Sequence, residues 1–177
     1  MSESTVDPRY PIGTFTAPSP ITPEHRTEAI QVIEALPQRL REAVEGLSDE
    51  QLHRPYRAGG WMVVQLVHHI GDSHATALHR LKRALTEDWP EIHGYQESLF
   101  ATLADATGPI KPSLNIIEGV HTQWVTLLRA MDDAAWAGGF RHNERGPMTV
   151  DHATQLYAWH SKHHVAHITR LRETKGW

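Results

Sequence analysis

From Thr149 to Gly176 the chain carries apolar residues at helical spacing and fills the middle of that stripe with imidazoles. Ala153, Leu156, Tyr157, Ile168 and Leu171 define one face, and at about 100° per residue His160, His164 and His167 fall within it. His163 lies at its edge. A buried imidazole with an unpaired ring nitrogen forfeits its hydrogen bonds to water. A chain with three such rings on one core-facing stripe must therefore fold so that other groups, or an ion, satisfy them. The segment WHSKHHVAHI alone holds four of the 14 histidines in 177 residues.

The rest of the pattern supplies elements that can do this. Thr22 reads as an N-cap with Pro23 at the first helical position, and Ile30, Ile33, Leu40, Val44 and Leu47 continue at helical spacing. Pro37 falls inside this first helix and predicts a kink or a break, since proline lacks the N–H of the helical ladder. Ser48-Asp49-Glu50-Gln51 is a capping-box pattern for a short turn. A second long helix is predicted from about Trp61 to Leu85, with irregular chain over 86–111 and one short helix near Gln96 to Leu103. Pro112 and Ser113 open a third helix, carried by Leu114, Ile117, Val120, Trp124, Leu127 and Leu128. The fourth starts at the N-cap Thr149 and ends on Arg170, Arg172, Lys175 and Gly176, where cations and a glycine suit a helix C-terminus. The prediction is an all-α four-helix bundle in a single domain over 1–177, with residues 1–21 as an extended arm.

Composition narrows the chemistry. Seventeen basic and 21 acidic residues give a formal charge of −4, interspersed rather than in blocks, so no electrostatic footprint for nucleic acid is present. No apolar run approaches the roughly 20 residues of a membrane span, and the N-terminus lacks the order of a signal peptide. A cytoplasmic protein acting on a small-molecule substrate is expected. The chain has no cysteine, so a metal site here must use nitrogen and oxygen ligands.

His160 and His164 stand one helical turn apart and can share an ion. A third ligand must come from another helix, and VHHIGDSH in the second offers His68, His69 and His74. The stripe there runs through Val63, Leu66, Val67, Ile70, Ala77, Leu78 and Leu81. His74 lies on it, His69 flanks it and His68 faces largely away, so periodicity leaves His69 and His74 both open. His25, His53, His79, His93, His121, His142 and His152 read as surface or capping residues.

YPIG in the arm, PYRAGGWMVVQLVHHIGDSH into the second helix, LTED after it and LYAWHSKHHVAHI in the fourth together resemble the DinB-like four-helix proteins, and within them the YfiT group of metal-dependent hydrolases. The resemblance covers nearly the whole chain. It implies a metal held by one histidine of the second helix and two of the fourth, which carries over to His69, His160 and His164. It also implies a cytoplasmic homodimer. Lys162 stands where the family pattern has a further histidine, well off the stripe.

Three neutral imidazoles leave a divalent ion an open position and suit zinc (Zn2+), with nickel (Ni2+) a second choice, better than magnesium or calcium. Water at such an ion becomes acidic near neutral pH, so a metal-dependent hydrolase is the first expectation. Transfer of a low-molecular-weight thiol such as bacillithiol needs the same ligands and is the alternative. A metal-stabilised binding protein without catalysis is a third reading. His160 is followed by Ser161 and not by the glutamate base of H-E-x-x-H enzymes, which disfavours zincin-like peptidase activity. Asp72, His74, Tyr157 and His167, with Gln65, are the candidates for acid-base or supporting roles. Asp72 reads equally as a solvated residue.

Overall fold

The computed structural model describes residues 7–177; of the expected arm, residues 1–6 lie outside the described part. Four long helices form the body: α1 (Pro23–Val44), α3 (Val63–Thr86), α5 (Lys111–Ala130) and α7 (Val150–Lys175), with the short helices α2 (Asp49–Leu52), α4 (Glu97–Phe100) and α6 (Asp133–Ala137) in the connections. The caps fall where the sequence places them. Thr22, Ser48 and Thr149 each accept from the backbone N–H three residues on, which satisfies one of the orphan donors of a helix start. His25 completes the box at Thr22 and is the capping residue expected. Gly176 ends α7 in the left-handed region at φ 68°, open to glycine without a Cβ penalty.

α1 packs against α5 and α7, and α3 packs against the same two. Helices α1 and α3 therefore face each other across the bundle. Arg26 joins the start of α1 to the start of α7 through two bonds to Asp151, at 2.8 and 2.7 Å. Arg172 covers the last carbonyls of α1, at Glu42, Ala43 and Glu45.

Two features go beyond what the sequence predicts. First, α1 runs through Pro37 without a break. Proline offers no N–H to the carbonyl four residues earlier, which is that of Ile33. The ring of His121, from α5, donates to this carbonyl instead. The missing rung is filled from outside the helix, and the core residues Ile33, Leu36 and Leu40 on either side stay buried.

Second, the chain also makes strands. β1 (Glu91–Ile92), β2 (Gly139–His142) and β3 (Gly146–Thr149) form one small sheet in that order, β1 parallel to β2 and β2 antiparallel to β3. Segments of two to four residues are too short for a period-two pattern to register in sequence. Gly139 shows why the hairpin closes: a Cβ there would stand 2.2 Å from the carbonyl oxygen of Met148. Phe140 and Met148 pack with Ile92 as a third apolar cluster.

The apolar core of the bundle is divided by a layer of histidine. One cluster includes Leu36, Leu40, Leu66, Ile70, Ile117 and Ile168, and the other Ile33, Ala77, Leu81, Trp124, Leu128 and Ala158. Between them, on three of the four long helices, stand His74 on α3, His121 on α5 and His160 with His164 on α7.

Candidate metal centre

α7 carries His160 and His164 on one face, one turn apart, and α3 brings His69 to meet them. One ring nitrogen from each of His69, His160 and His164 lies within 4.8 Å of the other two. The Nε2 atoms of His160 and His164 are 3.0 Å apart. Two nitrogens on one tetrahedral ion at the usual zinc distance lie ~3.3 Å apart, so the pair is already near the spacing such an ion needs. The centroids of His69 lie 5.5 Å from His160 and 5.0 Å from His164, and the indole of Trp61 packs against His69 at 4.9 Å.

Burial makes these rings neutral. Desolvation lowers His69 to about 4 and holds His160 and His164 well below the ordinary imidazole value. Neutral imidazole is the form that donates a lone pair to a metal. The donor set, all nitrogen and all uncharged, fits a divalent ion of the zinc or nickel type.

Behind the cluster runs a chain of imidazoles. His160 Nδ1 lies 2.9 Å from His74 Nε2, His74 Nδ1 lies 2.9 Å from His121 Nε2, and His121 Nδ1 reaches the carbonyl of Ile33. His74 is 0% and His121 2% exposed. His74, open as a ligand from periodicity, is thus turned from the cluster into a supporting position. His121 corrects the surface reading, and its signal was in the sequence: Leu114, Ile117, His121, Trp124 and Leu128 share one face of α5. His142 is likewise buried, in β2, rather than on the surface.

The remaining candidates separate. His167 pairs with His163, Nε2 to Nε2 at 3.2 Å, and stands against Tyr56, away from the three-histidine group. His163, at the edge of the stripe, is nevertheless buried: it is 8% exposed and stacks on Trp159 at 4.4 Å. Gln65 serves the backbone, accepting from Met62 N and donating to the carbonyl of Ala101. Asp72 is solvent-exposed and lines a second hollow with His68, which His69 and Glu97 also reach. His68 itself bonds Ser113 and the carbonyl of Gly108. Tyr157 lies beside the cluster, its ring 5.5 Å from that of His160 and its hydroxyl donating to the carbonyl of Ser73.

His69, His160 and His164 all open into one cleft of about 850 Å³. Its walls include Tyr10 and Phe15 of the arm, Tyr56, Trp61, Tyr95, Trp159, and Phe140 and Met148 of the hairpin. The arm is tied down by Trp159, whose indole N–H donates to the carbonyl of Gly13 at 3.2 Å. Charged side chains also reach the cleft: Arg57, Arg80, Arg145, Glu97 and Glu144. Glu97, on α4, acts electrostatically on His69. Sequence reasoning missed it, because a glutamate on a four-residue helix carries no periodic signal.

Fold and site together define a class, a four-helix bundle with an all-histidine centre suited to a divalent ion. The chain belongs to the DinB superfamily, whose family model matches residues 33–168. A protein of Geobacillus thermodenitrificans named "Putative metal-dependent hydrolase" is 49% identical over 177 residues, covering 98% of this chain and 99% of its own. A Bacillus cereus protein of the same name is 46% identical over 171 residues, covering 97% and 99%. Among solved structures, YfiT from Bacillus subtilis, described as a probable metal-dependent hydrolase with an unusual four-helix bundle topology, superposes with a TM-score of 0.94 at 41% identity, over 97% of this chain and 99% of that one. TT2238, a four-helix bundle protein, matches at a TM-score of 0.55 and 18% identity, a likeness of fold alone. No helix of the described residues is long and apolar enough to cross a membrane.

Proposed function

We propose that this chain is a metal-dependent hydrolase of small molecules, with one divalent ion held by His69, His160 and His164. The observation that carries the reading is the convergence of three neutral imidazoles on the wall of an open cleft of about 850 Å³. A structural site closes all its ligand positions, whereas a catalytic one keeps a position open. Bound by His69, His160 and His164, a divalent ion would supply Lewis acidity and would lower the pKa of water toward about 7, the basis of a nucleophile at neutral pH.

The chain's own residues do the rest. Trp61 and Tyr157 flank the imidazoles and hold the apolar part of a substrate. Arg57, Arg80 and Arg145 reach the cleft with no carboxylate partner among the described residues, and the Nε atoms of Arg57 and Arg80 are buried without any hydrogen-bond partner. Guanidinium groups without a carboxylate partner in a binding cleft suit an anionic group such as a carboxylate. Glu97 is the proton acceptor in this reading. The ion is zinc by availability, with nickel second, and the protein is a homodimer, which size-exclusion chromatography with light scattering tests.

A second reading, thiol transfer, is favoured by Ser161. This residue follows His160, and its hydroxyl donates to the carbonyl of Tyr157 at 2.8 Å, so the position that carries the base in H-E-x-x-H enzymes has none. A thiol made acidic by the ion needs less help from a base. The test is a screen of metal-loaded protein against carboxylate-bearing esters and amides, and against electrophiles with and without a low-molecular-weight thiol. Turnover without thiol supports hydrolysis, and turnover only with thiol supports transfer. No turnover in either by protein shown to be loaded overturns both.

A further inference from the structure

The backbone of α1 fixes where the protons sit on three imidazoles. A carbonyl oxygen can only accept, so in the bond between His121 Nδ1 and Ile33 the ring nitrogen carries the proton. A neutral imidazole has one N–H, which leaves His121 Nε2 as an acceptor. His74 Nδ1, 2.9 Å away, must then be the donor. The same step repeats: His74 Nε2 accepts, and His160 Nδ1 donates to it at 2.9 Å. His160 Nε2 is left with a bare lone pair, and this is the atom 3.0 Å from His164 Nε2.

The order of protons begins at Pro37. In an uninterrupted helix the carbonyl of Ile33 would accept from the N–H of residue 37, and here that residue has none. The carbonyl is thereby free for His121. His164 has no such support, since its Nδ1 is buried and without a partner. With His160 Nε2 able only to accept, His164 Nε2 is the donor of the 3.0 Å contact.

We propose that His121 and His74 are positioning residues, which pass the direction of a single hydrogen bond from the Pro37 gap in α1 through α5 and α3 to α7, and so present His160 Nε2 to the cluster as a lone-pair donor. His160 is the preset ligand of the trio. His164 is the adjustable one, and it must move its proton from Nε2 to Nδ1 before it can bind an ion, with no net release. The proposal rests on the metal reading above for its purpose, and on the hydrogen bonds alone for its direction.

The experiment is a long-range 1H–15N correlation spectrum of the metal-free full chain, labelled at histidine and recorded at about pH 7.5, well above the ordinary imidazole pKa. Expected are the Nδ1–H tautomer for His121, His74 and His160 and the Nε2–H tautomer for His164. On adding zinc, His160 keeps its tautomer and His164 changes. A proton on Nε2 of His160 in the metal-free protein overturns the proposal. His121→Phe removes the acceptor from His74 and is expected to weaken zinc binding by about 10- to 100-fold with a mixed tautomer at His160. His121→Gln, whose amide can donate to Ile33 and accept from His74, is expected to restore most of the affinity. A folded His121→Phe that binds zinc as tightly as the parent also overturns it. Should that variant not fold, the spectrum of the unaltered protein decides. Because the tautomers are read without metal, a parent chain with the expected pattern but no zinc affinity refutes the functional reading and leaves the proton order standing.

Discussion

His121 donates to the carbonyl of Ile33, the carbonyl that Pro37 leaves without a helical N–H. Residues on two helices thus complete a ladder that one residue interrupts. Proline in a helix interior costs about 3 kcal/mol relative to alanine, and the cost here is partly offset by the bond from His121. Pro37→Ala restores the N–H and sets it in competition with the imidazole. The expected outcome is a higher melting temperature together with weaker zinc binding. Parallel thermal melts and zinc titrations check it, and a rise in both would mean that the carbonyl serves two donors without loss.

Burial lowers His121 to about 4, against an ordinary value near 6.5. The unfolded chain therefore binds a proton at this ring between these values and the folded chain does not. Stability from this ring is present above about pH 6.5 and is lost as pH falls toward 4, with a slope of about 1.4 kcal/mol per pH unit. Urea unfolding of the metal-free protein across this range measures the slope. His121→Gln should show a slope smaller by that amount.

His164→Ala and His163→Ala separate ligand from core. His164→Ala should lose the metal, as elemental analysis would show, while the helical circular dichroism spectrum persists. His163→Ala should keep the metal yet cost about 1 to 3 kcal/mol, because the ring is buried between Trp159 and His167 and its removal leaves both a cavity and an unpaired imidazole. Retained metal in His164→Ala would place the ion elsewhere.

Gly139→Ala tests the hairpin that forms one wall of the cleft. The added methyl would meet the carbonyl of Met148 at 2.2 Å, so β2 and β3 must part. A loss of about 2 kcal/mol or more in thermal or urea unfolding is expected from such a clash. An unchanged melting temperature would show that the hairpin yields freely.

The sequence by itself determined the four long helices, the caps of α1, α2 and α7 and the faces the long helices bury. Each of these is a local matter of spacing and of a few capping atoms, as Thr22, Ser48, Thr149 and Gly176 show. It also placed His160 and His164 on one inward face, since a one-turn separation is a property of any α-helix. Periodicity left His69 and His74 open, because both lie near the stripe of α3 and the choice depends on what each ring meets. What each ring meets is a tertiary matter: α7 presents His160 with Nδ1 toward His74 and Nε2 toward His164, and His69 joins His160 and His164 in one group. The same holds for His121, for the small sheet and for Glu97. Pro37 is the clearest case. From the sequence it reads as a defect in one helix, and it becomes the start of a hydrogen-bonded chain only when α5 packs against α1 and brings a donor to the carbonyl it left free.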